Sequence, residues 1–140
     1  MYEAMEQLYF LSIILNALTG LILVFGDTVE GDPTNKGIRL FISSGGFRLV
    51  LGILAAITGF LKFLSPFKTP ILGDFIPAVA GIAAGFILVF GFYRENAAKR
   101  DDGGNLDRIG DTLLLYKKAV GVFLLVVAVL HFLFPRALFL

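Results

Sequence analysis

Apolar and polar positions along this chain fall into long blocks. Leu8 to Gly26 is a run of nineteen residues without a charge, and Phe75 to Tyr93 is another. Between Arg39 and Lys62 the only charge is Arg48, and between Lys118 and Arg136 the only titratable group is His131. About 20 apolar residues carry a helix across the hydrocarbon core of a bilayer, so the pattern predicts four transmembrane spans. A soluble four-helix bundle needs a polar stripe on every helix, and neither charge-free run reads as having one. The alternating segments of about ten residues that build a membrane barrel are absent too. The fold class expected is an all-α integral membrane protein, with residues 1–140 forming a single transmembrane domain.

The blocks repeat. Gly20–Gly26, GLILVFG, returns as Gly85–Gly91, GFILVFG, with six of seven positions identical. The pattern LxFLxP at Leu61–Pro66 returns at Leu130–Pro135. The first echo has an offset of 65 and the second an offset of 69, which confines four extra residues to the second of the two longer loops. A repeat of two spans re-enters the membrane in the same sense, so the copies are parallel, related by a pseudo-two-fold axis along the membrane normal. The first helical hairpin is expected over about residues 8–67 and the second over about residues 73–136.

Turn formers agree with these boundaries. Pro66 and Pro135 stop spans two and four at matching positions. Gly73 and Asp74 turn the short loop, with Asp74 as N-cap of span three and Pro77 in its first turn. Gly31–Asn35 and Asp101–Asn105 break the longer loops. The semi-apolar stretches that follow, Ile38–Ser44 and Ile109–Leu115, read as extensions of spans two and four or as short interfacial helices, with Gly45-Gly46 as a bend.

Charge sets the expected orientation. Nine of the twelve Lys and Arg residues lie in or beside the loops after spans one and three, and only Lys62, Lys68 and Arg136 fall toward the other side. Excess basic residues mark the cytoplasmic face, so both termini are expected outside a cell membrane and the two longer charged loops in the cytoplasm. Tyr9 at an outer end, and Tyr93 and Tyr116 at inner ends, fit an aromatic belt. Span one opens with Glu3 and Glu6 and lacks a small-residue cleavage site, so it reads as a retained span, not a signal peptide.

Composition adds little beyond this. Apolar residues make up 57% and charged residues 16%, with a mean hydropathy of +0.86, the balance of a chain that lives in lipid. A net charge of +1 gives no reason to expect nucleic acid. The lack of cysteine removes disulfides, thiolate metal sites and thiol nucleophiles.

A few residues could carry chemistry. Lys62 and His131 share one repeat position near the outer face, either as a pair facing one cavity or as a snorkelling lysine and an interface histidine. Arg48 and Lys117 share another, near the inner face, where they anchor helices or contact a lipid phosphate or a partner's carboxylate. Asn16 is the one strong polar side chain deep in a span and reads as interhelical glue, with a transport site as the alternative. Gly20, Gly52, Ala56, Gly81 and Gly85 form small-residue faces suited to close packing, within the chain or between copies. The loop Arg94–Arg108 fails as a calcium site because Gly103 stands where a ligand is needed. No carboxylate lies inside a span, and no catalytic residue, metal ligand set or cofactor-binding motif can be drawn.

The expected role is that of a non-enzymatic membrane protein without cofactors. It would self-associate, or serve as an accessory or scaffold subunit of a larger membrane complex, with the bilayer and a second copy or another membrane protein as partners. The alternative is a small transporter or channel built by a homo-oligomer of the duplicated hairpins.

Overall fold

The computed structural model describes residues 2–31, 34, 36–64, 75–97 and 105–134. These form six α-helices, with no strand among them: α1 (Tyr2–Gly31), α2 (Lys36–Ser43), α3 (Gly45–Leu64), α4 (Phe75–Ala97), α5 (Asn105–Leu115) and α6 (Lys117–Leu133). Helices α1, α3 and α4 are long and apolar enough to cross a membrane. Helix α6 has 17 residues and joins them if it is counted together with α5, from which it bends by 52°. Pro66, Pro135, Gly73, Asp74 and the Asp101–Gly104 turn lie outside the described residues.

The two semi-apolar stretches form separate helices, each set off from the next long helix by a one-residue break. Between α2 and α3 the chain breaks at Ser44, whose Oγ accepts the Phe47 backbone N–H at 3.4 Å. That satisfies one of the donors a helix start leaves unpaired, so the break follows from Ser44 as well as from the glycines after it. Helix α2 leaves Leu40 and Phe41 exposed. Between α5 and α6 the break falls at Tyr116, with φ −91° and ψ 1°. It is bridged on both sides by Tyr116 N–H to Thr112 O at 3.4 Å and Val120 N–H to Tyr116 O at 3.0 Å.

Helix α1 packs mainly against α6, and α3 against α4. Glycine makes both approaches possible. A Cβ on Gly85 would stand 2.5 Å from the Gly52 carbonyl oxygen and 2.8 Å from the Ala56 Cβ. A Cβ on Gly20 would stand 2.9 Å from the Gly121 carbonyl oxygen, and one on Gly121 would lie 3.0 Å from the Gly20 oxygen. Backbones this close leave no room for a side chain. Leu15, Ile22, Leu23, Leu51, Ala84, Ile87, Leu88 and Leu124 fill the core between the four long helices.

The outside is apolar as well. Phe10, Ile14 and Phe25 on α1, Ile57 and Phe60 on α3, Phe86 on α4 and Val129 on α6 are exposed. No more than 44% of any candidate span is buried within the fold. Leaving that much apolar surface in water is costly, so the bundle is shaped for an apolar surrounding.

Candidate functional site

The interior of the bundle is not purely apolar. Ser12, Asn16, Thr19, Thr58, Lys62 and His131 are all buried. On α1, Tyr9, Ser12, Asn16 and Thr19 recur every three or four residues, the spacing of one helix face. Helix α1 therefore does carry a polar stripe, contrary to the sequence reading, but the stripe is narrow and turned inward. Small hydroxyl and amide groups make it, so hydropathy averaging hides it.

At one end of this seam Lys62 Nζ lies 2.8 Å from His131 Nε2. Lys62 is 5% exposed and His131 1%. An ammonium has no lone pair, so a protonated Lys62 donates and the imidazole accepts at Nε2. Tyr9 completes the cluster from α1. Its hydroxyl donates to the His131 carbonyl oxygen, its ring centroid is 4.5 Å from the imidazole, and Lys62 Nζ sits 5.4 Å from that centroid. Three helices thus converge on one point. Lys62 does not snorkel outward; it and His131 both turn toward the bundle interior. The sequence placed Tyr9 in an aromatic belt and did not connect it to the pair. The signal available for it was its register with Ser12 and Asn16.

One to two turns deeper, Asn16 Nδ2 donates to the Pro77 carbonyl oxygen at 3.3 Å, crossing from α1 to α4. Pro77 cannot donate a backbone N–H of its own. The Asn16 Oδ1 lies 3.0 Å from where a Cβ on Gly81 would be, so the absence of a side chain there makes space for the amide. Thr19 is fully buried, and its hydroxyl has no hydrogen-bond partner among the described residues.

The other end of the bundle, where α1 leads into α2 and α4 into α5, is charged. Arg48 on α3 pairs with Glu95 on α4 at 3.2 Å, and Lys117 on α6 with Asp27 on α1 at 2.8 Å. Arg48 Nε also donates to the Ile42 carbonyl oxygen at 2.6 Å. Arg94 on α4 pairs with Asp111 on α5. Around these groups lies a cavity of about 240 Å³, with Ile22, Leu23, Ile87 and Leu88 on its apolar side and Asp27, Arg48, Arg94, Glu95 and Lys117 on its charged side. Arg48 and Lys117, which the sequence reading paired near one end of the spans, share this cavity. Their carboxylate partners were not legible in the sequence.

No group of three or more His, Cys, Asp or Glu residues that could hold a metal occurs among the described residues. Fold and site together define a class of small all-helical protein with three to four long apolar helices and a polar interior. A protein-family model matches residues 5–131, and the chain belongs to the family which that model describes. It is similar to an uncharacterized protein of Treponema pallidum (strain Nichols), 35% identical over 138 residues, a match covering 97% of this chain and 100% of that protein. No solved structure matches.

Proposed function

We propose that this is a four-span integral membrane protein that conducts a small polar solute through its own interior, as a transporter or channel and not as an enzyme. The two hairpins are read as parallel copies about an axis along the membrane normal, with both termini outside. Several contacts support the duplication. Helices α3 and α6 end at Leu64 and Leu133, one repeat offset of 69 apart. The Gly20–Gly121 contact of α1 with α6 maps onto the Gly85–Gly52 contact of α4 with α3 under the two offsets. Residues related by a two-fold axis touch each other only on that axis, and Lys62 touches His131.

The observation that carries the conduit reading is the inward polar seam. It runs from Tyr9, Lys62 and His131 past Ser12, Thr58, Asn16 and Thr19, is interrupted by the apolar layer of Ile22, Leu23, Ile87 and Leu88, and resumes in the charged cavity. Polar lining closed by a hydrophobic constriction is how narrow conduits gate. A buried hydroxyl without a partner costs about 1–3 kcal/mol, so Thr19 favours water or solute at mid-bundle. The accessory or scaffold role was motivated by small-residue faces. Gly20, Gly52, Ala56, Gly81 and Gly85 spend those faces on contacts within the chain, which leaves that role with less support.

Proteoliposomes test the proposal. Stopped-flow light scattering with a panel of glycerol, potassium chloride and potassium phosphate should show flux of at least one solute above protein-free vesicles. Asn16→Leu should reduce that flux, because it plugs the seam without adding charge. Failure of every solute to exceed the protein-free rate would sink the conduit and return the accessory role to first place.

A further inference from the structure

Among the described residues, three ion pairs at the charged end share an asymmetry. Side-chain exposure is 15% for Arg48 against 52% for Glu95, 29% for Lys117 against 51% for Asp27, and 33% for Arg94 against 65% for Asp111. The base is the sheltered member each time, and the acid faces out. Residues that merely anchor helices at headgroups do the opposite, reaching outward along their aliphatic stems. We propose that the cavity between α1, α3, α4 and α6 is a binding site for a phosphate group on a compact apolar body, with Asp27 and Glu95 as built-in counterions that yield to it.

Three observations support this assignment. Cations from three helices, Arg48, Arg94 and Lys117, line the cavity against two carboxylates, and cations spaced around a cleft suit the several oxygens of a phosphate. Arg48 is held in place by its bond to the Ile42 carbonyl, so little ordering remains for a ligand to bring about. The opposite wall is apolar, and the volume of about 240 Å³ is below that of pockets for drug-sized ligands, which start near roughly 300 Å³. The part of the occupant held inside is therefore small, a phosphate and the few atoms next to it. Partly exposed ion pairs are weak, about 0–1 kcal/mol, so a phosphate dianion can displace the carboxylates without a large opposing term. The inference deepens the conduit reading and rests on it in treating the cavity as an entrance.

A phosphate group can come from solution or from a lipid headgroup, and two arms separate the sources. In the first, phenyl phosphate is titrated calorimetrically into the full chain in phosphatidylcholine nanodiscs near neutral pH. Saturable binding is expected, weakened roughly tenfold or more in R48Q/K117Q, a loss of about 1.4 kcal/mol or more across the two charged contacts. D27N/E95Q removes the competing carboxylates and should tighten binding several-fold. In the second arm, native mass spectrometry follows phosphatidic acid retained from mixed vesicles. Retention that depends on Arg48 and Lys117, without phenyl phosphate binding, supports the same site with a lipid occupant. If R48Q/K117Q does not fold, D27N/E95Q decides alone, read in whichever arm shows binding to the wild-type chain. Failure to tighten phenyl phosphate binding or, where only lipid binds, to raise phosphatidic acid retention overturns the proposal, as does absence of binding in both arms. Binding is read without a flux, so binding without transport would overturn the conduit reading and leave the site standing.

Discussion

Single residues set how close the long helices come. Gly85 permits an approach in which a Cβ would stand 2.5 Å from the Gly52 oxygen and 2.8 Å from both the Ala56 nitrogen and the Ala56 Cβ. None of these atoms is the movable end of a side chain, so the backbone itself must shift to admit a methyl. Gly85→Ala should therefore destabilise the bundle by about 1–3 kcal/mol, as overpacking does. Gly37 in α2 has nothing within 4 Å of its would-be Cβ, and Gly37→Ala should cost nothing. Thermal unfolding in detergent of the two variants side by side checks this. Equal melting temperatures would mean that the α3–α4 approach is looser than described.

Among the elements, α1 supplies the most buried polar side chains. One face supplies Gly20 to the contact with α6, another supplies the polar seam, and the rest is apolar and outward-facing. Helices α2 and α5 do different work. They hold the charged end together, α2 through Ile42 on Arg48 and α5 through Asp111 on Arg94. The ion pairs themselves bind elements only weakly. A double-mutant cycle on Asp27 and Lys117 should give a coupling of about 0–1 kcal/mol, shrinking as salt rises toward 1 M, where screening acts over about 3 Å. A salt-insensitive coupling of several kcal/mol would show a pair far better shielded than its 51% exposed carboxylate implies.

At the scale of the whole molecule the spacing of its two polar ends matches a membrane. From Tyr9 to Asp27 is 18 residues of continuous helix, about 27 Å at 1.5 Å per residue, against a hydrocarbon core of roughly 30 Å. Lys62 and Arg48 are 14 residues apart on α3, as are His131 and Lys117 on α6, so both helices span equal depth between the two sites. If the basic loops face the cytoplasm, as excess Lys and Arg predict, the charged cavity lies on the cytoplasmic side. A cysteine introduced at Asp102 should react with a membrane-impermeant maleimide only after cells are permeabilised, while one near the N-terminus should react in intact cells. The reverse pattern would invert the protein and move the proposed phosphate site to the outer face.

The sequence by itself determined the helical class and the long apolar segments. Those properties depend on hydropathy and spacing along one chain, which survive without knowledge of neighbours. It also suggested Lys62 with His131 and Arg48 with Lys117 as equivalents, on an echo at an offset of 69. Only the tertiary structure decided which way those side chains face. A lysine near a helix end can snorkel outward or turn in, and the choice rests on what the adjacent helices offer. Here α1 offers Tyr9 and α6 offers His131, so Lys62 turns in. The same holds for the glycines, whose faces suit a second copy as well as they suit this chain until the α1–α6 and α3–α4 approaches occupy them. The seam on α1 was hidden for a related reason: serine, threonine and tyrosine are too mild to break an apolar run, and they become a site only once three other helices close over them.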